Sequence, residues 1–542
     1  MPDSDPTRPT SGAGVSLGAL AAAVPGLSVP SADVAVTVTG ATVRAQDVRP
    51  GDLFGAVPGT ATHGARFAAA AAANGAAAVL TDADGAAVLA AAGVTLPVAV
   101  HAAPRRVLGA VASLVYGRPS QRMVLAGITG TSGKTTTSYL TEAALTAAGH
   151  TTGLIGTVGT RIAGEQIATS LTTPEGTALQ GLLAVMVERG VDAAVMEVSS
   201  HALDQNRVGG TRFAVGGFTN LSQDHLDYHP TLRDYFDAKA RLFVPTGETG
   251  AGAEPVCETA VICVDDEWGT EMAARRRAAG LLLATVCTLE SAPSWDSADW
   301  RAEGVGTAAD GSQEFTLVGP RDASAHVTLT LPGRYNVANA ALALVIAHAA
   351  GADLAAAAAG VSTVAVPGRV QRIDRGQDFL AVVDYAHKPA AVEAVIATLR
   401  AQSSGRIAVV VGAGGDRDRG KRPLMGAAAA RAAELVVITD DNPRSEDPAE
   451  IRAAVLAGAQ AVVDAGAGPA GVEVYELGDR RAAIEAAVAW ARPGDVVLIA
   501  GKGHEPGQEI AGVKHPFDDR DELTRALDAR LLGVPGGRKG GE

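Results

Sequence analysis

A strand that runs directly into Gly127-Ile128-Thr129-Gly130-Thr131-Ser132-Gly133-Lys134-Thr135 leaves this chain few folds to choose from. The spacing G-x-x-x-x-G-K-[ST] needs an apolar strand, here MVLAGITG from Met123, then a tight loop and a helix opening at the lysine. Strand, loop and helix in that order belong to a parallel α/β sheet. The glycines let backbone N–H groups close around phosphate oxygens, with Gly130, Thr131, Ser132, Gly133 and Thr136 forming the cradle. Lys134 reaches the terminal phosphates and the Thr135 hydroxyl suits Mg²⁺. The motif predicts nucleoside triphosphate binding, but leaves open whether the phosphate goes to water, to a hydroxyl or to a carboxylate.

With 542 residues, 47% of them hydrophobic and 19% charged, the chain has material for about three domains at roughly 100 to 200 residues each. Residues 1–122 read as a first α/β domain without a catalytic signature, in which Arg49-Pro50-Gly51-Asp52-Leu53-Phe54 is a turn entering a strand. Residues 123–366 form a central domain around the phosphate loop. Residues 367–542 carry four apolar strands, FLAVVDYAH, RIAVVVGAGG, ELVVITDDNP and DVVLIAGKGH, each ending in polar residues, which predicts a doubly wound sheet. Residues 1–12 and the terminal GVPGGRKGGE have the composition of frayed ends.

The formal charge of -14 provides no general basic surface, so nucleic acid is excluded as a primary partner, and any anion must be held by local groups. Cys257, Cys263 and Cys287 show no CxxC spacing, which argues against both a disulfide framework and a zinc ribbon and suits a reducing cytoplasm. Pro25 breaks the early apolar run, unlike a secretory signal. The uncharged stretch Gly85–Pro104 reads as helix, turn and buried strand, with no membrane insertion.

Chemistry-bearing residues cluster at predicted strand ends. Glu197 closes DAAVMEV, the usual position for an acid near phosphate-bound Mg²⁺. Ser199-Ser200-His201 reads as substrate contacts, since adjacent side chains point apart and make no triad. His225 and His229 stand at helical spacing and admit zinc; without the glutamate of HExxH, a single His225 beside Mg²⁺ is preferred. Lys239 by itself reads as a solvated helix lysine. Gly412-Ala413-Gly414-Gly415-Asp416-Arg417 imitates a dinucleotide fingerprint, but arginine occupies the third glycine position, which disfavours NAD. Arg417, Asp441, Asn442, Arg444 and Glu505 offer cations, carboxylates and an amide, a set that suits a zwitterion; surface salt bridges are the alternative.

Taken in order, GTSGKTT, TTPE, EVSSHALDQNRV, FTNLSQDHLDYH, YFDAKARLF, LPGRYNVANA, PGRVQR, VVDYAHKP, GAGGDRDRGKRP, DDNPRSEDP and GKGHE resemble the Mur ligase family over residues 30 to 530. Asp441-Asn442-Pro443-Arg444 is similar to the motif of those members that add meso-diaminopimelate as third residue of the peptidoglycan stem peptide. The resemblance implies an N-terminal UDP-binding domain, a central P-loop ATPase-type domain and a C-terminal Rossmann-like domain. It implies an ATP-dependent, ADP-forming ligase acting on UDP-N-acetylmuramoyl dipeptide as a cytoplasmic monomer. Lys134, Glu197, His225 and Lys239 would be catalytic, with Thr135, Glu197, His225 and a CO₂-derived carbamate on Lys239 around Mg²⁺. Asn336, Asn339, Arg369 and Asp384 match nucleotide-contacting positions. Thr172, Thr173, Ser199, Gln205 and Arg207 match those that hold the dipeptide. Arg417, Asp441, Asn442, Arg444, Gly501 and Glu505 match those that hold the incoming amino acid. The chain departs from the family at Arg44-Ala45-Gln46, where relatives read Asp-Ser-Arg, so no UDP contact is assigned there, and at Leu171, where asparagine is frequent. A lysine-adding relative, a folylpolyglutamate-type ligase and a P-loop switch remain as alternatives.

Overall fold

The computed structural model describes residues 6–10, 12, 14–59, 62–169, 171–247, 256–308 and 311–533. Three sheets organise it. Four parallel strands, Gly40–Thr42, Asp52–Gly55, Ala78–Thr81 and Val98–Val100, lie in chain order in the N-terminal part. An eleven-stranded sheet runs through the centre, and six strands form the C-terminal sheet.

In the central sheet, Val124–Thr129 lies between Ala193–Glu197 and Val215–Phe218, parallel to both. Its side chains alternate. Ala126 and Ile128 pack with Leu140, Ala144 and Val337 from the helices Lys134–Ala147 and Arg334–Ala349, while Leu125 packs with Leu179, Leu183 and Met196 on the other face. Both faces are thus covered, as an all-parallel core requires, and each fully buried Leu or Ile contributes roughly 1.5–3 kcal/mol. Antiparallel strands extend this sheet at both edges.

The C-terminal sheet runs Gln371–Arg372, Leu380–Asp384, Val496–Ala500, Ile407–Val411, Leu435–Ile438 and Glu473–Glu476, parallel except at the first edge. Val382, Val409 and Leu498 face the helices Pro389–Gln402 and Lys421–Ala432; Ala381, Val410 and Ile499 face Arg480–Trp490 and Asp519–Leu531. The sheet is doubly wound, as its four apolar runs predict. The fifth strand, Glu473–Glu476, escaped the sequence reading because it is a half-exposed edge carrying charges.

Gly51 enters its strand at φ +91° and the Gly85–Pro104 stretch folds as helix end, turn and strand, as read. Of residues 1–12, also expected to fray, 1–5 and 11 lie outside the described residues, whereas Arg8 forks onto Asp52 at 2.5 and 2.7 Å. That bidentate pair ties the early chain to the first sheet, a long-range contact that local composition does not reveal. The final nine residues of the expected C-terminal fray lie outside the described residues.

Candidate active site

The phosphate loop stands at the C-terminal end of the central strand, where open α/β sheets place ligands. Gly133 has φ +88°, and a Cβ there would lie 2.2 Å from Asn339 Oδ1, so only glycine fits. Thr131 and Ser132 turn their N–H groups to Asn220, at 2.9 and 3.1 Å. The remaining cradle is the first turn of helix Lys134–Ala147, whose N–H groups have no intrahelical acceptor. Lys134 Nζ donates to the carbonyls of Gly130 and Thr131 at 2.9 and 3.1 Å.

Lys239 corrects its bland reading. It is buried, and its Nζ donates to Gly130 O at 2.8 Å while lying 4.3 Å over the Tyr235 ring. Helix Leu232–Ala240 puts its buried face, Tyr235, Phe236 and Lys239, against the central sheet, and so points this amine inward. Burial, then the charges of Lys134 and Lys388, drive the Lys239 amine well below its ordinary range. Burial and Lys388 push Lys134 down to about 8. These amino groups, with Arg369, outnumber the carboxylates beside them, Asp224 and Glu197, which fits a bound triphosphate.

Glu197 is buried at the end of its strand and accepts from Thr135 Oγ1 at 3.0 Å, Thr157 N at 2.8 Å and Thr157 Oγ1 at 3.0 Å. Arg369 Nη2 donates to Thr135 Oγ1 at 3.2 Å. A carboxylate and a hydroxyl gathered beside the loop lysine are the hard oxygen donors that Mg²⁺ takes. His225, at φ +53°, lies 3.2 Å from Asp224, and burial lowers its imidazole to about 3. His229 instead bonds Ser200 Oγ at 3.0 Å. The zinc alternative gains no support: no group of three or more His, Cys, Asp or Glu gathers for a metal among the described residues.

Asn336 and Asn339 bond each other at 3.0 Å beneath the loop, and Thr137 Oγ1 donates to Asn339 at 3.3 Å. Asp384 accepts from Val370 N and Ala386 N, both at 2.7 Å, and burial raises its carboxyl. Arg369 lies 4.4 Å over the Tyr385 ring. Thr136 is buried in the first helical turn.

A second cluster surrounds the end of Ala193–Glu197. Thr173 Oγ1 donates to Glu197 O at 2.9 Å, and Ser199 N donates back to Thr173 Oγ1 at 3.1 Å. Arg207 reaches Thr173 O at 3.3 Å, Gln205 Oε1 at 2.8 Å and Glu175 at 3.0 Å. Thr172 joins through Thr157 at 3.1 Å. Ser199 caps the short helix Ser200–Asp204, its Oγ accepting from Ala202 N at 3.2 Å, while Ser200 takes the bond from His229.

The third cluster is on the C-terminal sheet. Asn442 donates to Glu505 at 2.9 Å and accepts from Lys502 Nζ at 3.0 Å; Lys502 also lies 3.3 Å from Asp441. Against desolvation, Lys502 and Arg480 hold Asp441 below its usual carboxylate range, while burial and the Asp441 charge raise Glu505. Arg444, at φ +54°, donates to Gly415 O at 2.7 Å. Gly501 has φ +119°, and a Cβ there would lie 3.3 Å from Asp441 Oδ2. Arg417 is exposed, and its Nη1 donates to the carbonyl of Asp416 at 3.1 Å.

Several residues that touch these clusters were not singled out from sequence: Asp224, Lys388, Lys502, Tyr385, Glu175 and His504. Lys388 and Lys502 sit inside VVDYAHKP and GKGHE, and a lysine at the end of an apolar strand is the signal that could have flagged them. Cross-domain bonds join the clusters: Lys388 to Asp224 at 2.7 Å and His504 to Thr157 O at 3.3 Å.

Comparison with known proteins matches this geometry to three family models in chain order. Residues 37–116 match the Mur ligase family catalytic domain, 128–347 the Mur ligase middle domain and 368–503 the Mur ligase glutamate ligase domain. The chain belongs to the Mur ligase family. Among Mur ligases it is 55% identical over 479 residues to a UDP-N-acetylmuramoyl-L-alanyl-D-glutamate--2,6-diaminopimelate ligase of Corynebacterium glutamicum, covering 88% of this chain and 89% of the relative. A relative with the same name in Streptomyces avermitilis is 49% identical over 523 residues, covering 96% and 98%. A solved structure of a ligase so named aligns with a TM-score of 0.65 at 33% identity, covering 96% of this chain and 99% of that one.

Proposed function

We propose that this Mur ligase joins meso-2,6-diaminopimelate to UDP-N-acetylmuramoyl-L-alanyl-D-glutamate, consuming ATP and releasing ADP and phosphate. The observation that carries the reading is the convergence of three clusters, phosphate loop, Thr173–Arg207 and Asp441–Glu505, at one domain junction. The curated relatives named for the same reaction support it.

A carboxylate is a poor electrophile. In the proposed reaction the D-glutamate γ-carboxylate oxygen attacks the γ-phosphorus of ATP; the bond to the β–γ bridging oxygen breaks and ADP leaves. The diaminopimelate amine then attacks the acyl carbon, loses a proton, and phosphate departs as the amide forms. Both reactants of the first step are anions, so Lys134 and its cationic neighbours neutralise their approach within a partly enclosed site. Thr135 and Glu197 would hold Mg²⁺ with His225 and Lys239; the ion would withdraw charge from the phosphate oxygens. Burial keeps Lys239 neutral enough to add CO₂, its nitrogen lone pair forming the N–C bond and a proton leaving. The resulting carbamate would turn a repelling cation into an anionic oxygen donor. A cavity of about 750 Å³ beside Asn336, lined by Tyr335, Leu289 and Thr398, has room for base and ribose.

Thr172, Thr173, Ser199, Gln205 and Arg207 hold the dipeptide, with the carboxylate end turned toward the loop. Arg417 and Arg444 pair with the amino acid's carboxylates, and Asp441, Asn442, Gly501 and Glu505 take its ammonium end. Lysine lacks one of these carboxylates, so an arginine that pairs with it discriminates by charge. Among the described residues no helix is long and apolar enough to cross a membrane. The buried free cysteines support a reducing cytoplasm.

The test supplies purified protein, UDP-muramoyl dipeptide and Mg-ATP with meso-diaminopimelate, L-lysine or L-glutamate in turn. Product mass should show the diaminopimelate adduct; a lysine or glutamate adduct in its place overturns the assignment.

A further inference from the structure

Lys388 belongs to the C-terminal sheet by sequence, following the strand Leu380–Asp384 and preceding the helix Pro389–Gln402. Its side chain, however, ends in the nucleotide site of the central domain. Its Nζ lies 2.7 Å from Asp224 Oδ2 and 3.4 Å from Thr131 O of the phosphate loop, and the residue is only 9% exposed. Lys134 shares the same Thr131 carbonyl, and Lys134 and Lys239 share Gly130 O. Thus three lysine amino groups hang on two adjacent loop carbonyls, and burial leaves Lys134 and Lys388, rather than Lys239, to carry the charge. A carbonyl carries only a partial charge, and Asp224 is the one carboxylate bonded to any of these lysines among the described residues.

Glu197 is the other carboxylate felt at Lys134, and it is engaged by Thr135 and Thr157; against these two carboxylates stand Lys134, Lys388, Arg369 and Lys421. The arrangement is therefore short of negative charge at the point where the loop receives phosphate.

We propose that Lys388 is a phosphate ligand carried into the nucleotide site by the C-terminal domain, seated on Asp224 until the terminal phosphate of ATP takes its ammonium. This rests on the nucleotide reading of the loop and adds a residue to it. It makes nucleotide binding and the seating of the C-terminal domain one event. ATP, with its extra phosphate, draws Lys388 onto the central domain more strongly than ADP does. Asp224 is a competing seat rather than a final partner.

The test is calorimetric binding of Mg-AMP-PNP and of Mg-ADP to the full chain, with Lys388→Gln, Lys388→Arg, Asp224→Asn and Lys134→Ala variants. Lys388→Gln should weaken AMP-PNP about tenfold, equivalent to about 1.4 kcal/mol, and change ADP less than about twofold. Lys388→Arg, which keeps the charge, should recover most of the AMP-PNP affinity. Asp224→Asn should leave AMP-PNP binding unchanged or tighter. Equal weakening of both nucleotides by Lys388→Gln, or no weakening, overturns the proposal; so does equal loss in Lys388→Gln and Asp224→Asn, which marks a simple interdomain ion pair. If Asp224→Asn fails to fold, the Lys388 pair of variants decides alone. Undiminished AMP-PNP binding by Lys134→Ala removes the nucleotide reading itself, a failure separate from that of Lys388.

Discussion

Lys239 shows how environment overrides residue type. As one lysine in a short helix it carries no signal, yet burial over the Tyr235 ring and against Gly130 O drives its amine well below the usual lysine range. With ¹³C-bicarbonate, the native protein should give a carbamate carbon resonance that Lys239→Gln lacks; an identical spectrum from the variant contradicts the modification. Arg444 is a different case, because Asp-Asn-Pro-Arg could be read directly. Removing a hydrogen bond to a charged group costs about 1.5–3 kcal/mol. Arg444→Ala should therefore raise KM for diaminopimelate about 10- to 100-fold by that energy, while KM for ATP stays within about twofold. Steady-state kinetics with each substrate varied checks it, and parallel rises in both constants count against the division of labour. Glycine spacing and strand-end polar residues made the loop, Glu197 and the Asp441–Glu505 set legible. Lys388 and Lys502 were obscured because their partners are far away in sequence, Asp224 and Asp441 among them.

Among elements, the helices that dock the N-terminal domain depend on absent side chains. Helix Pro104–Val115 approaches the central domain so closely that a Cβ on Gly109 would stand 2.3 Å from Gly209 O. Overpacking of this kind costs about 1–3 kcal/mol. Gly109→Val should lower the thermal midpoint and loosen the first domain, detected by faster proteolysis between the first and second sheets; unchanged melting and cleavage contradict that packing. The parallel strands were legible as apolar runs because both faces are covered. The Glu473–Glu476 edge and the antiparallel extension Gln313–Leu329 were not, because an edge strand needs only one apolar face. Arg8 escaped for a related reason: its Asp52 partner lies forty-four residues on.

At the scale of the molecule, the junction of central and C-terminal domains is lined by histidines kept neutral. Burial lowers His225 and His387 to about 3, and burial with Arg369 lowers His504 to about 4. In the unfolded chain such imidazoles bind protons near pH 6.5. As pH falls below that value the unfolded state takes up protons the folded state refuses, so stability declines with acid, and the decline ends only below the folded values. Calorimetry from pH 7 to 5 should show a falling midpoint, and His504→Gln should flatten the slope; a midpoint that rises with acid contradicts the sign. His504 also bonds Thr157 O across the junction, and a Cβ on Gly368 would stand 2.3 Å from His504 N. These contacts hold together the phosphate loop, the Thr173–Arg207 cluster and the Asp441–Glu505 cluster. The most direct test follows oxygen. Dipeptide substrate labelled with ¹⁸O in the D-glutamate γ-carboxylate, turned over with Mg-ATP and diaminopimelate, should deliver one ¹⁸O into each phosphate released. Phosphate free of the label, alongside normal amide formation, would contradict the account.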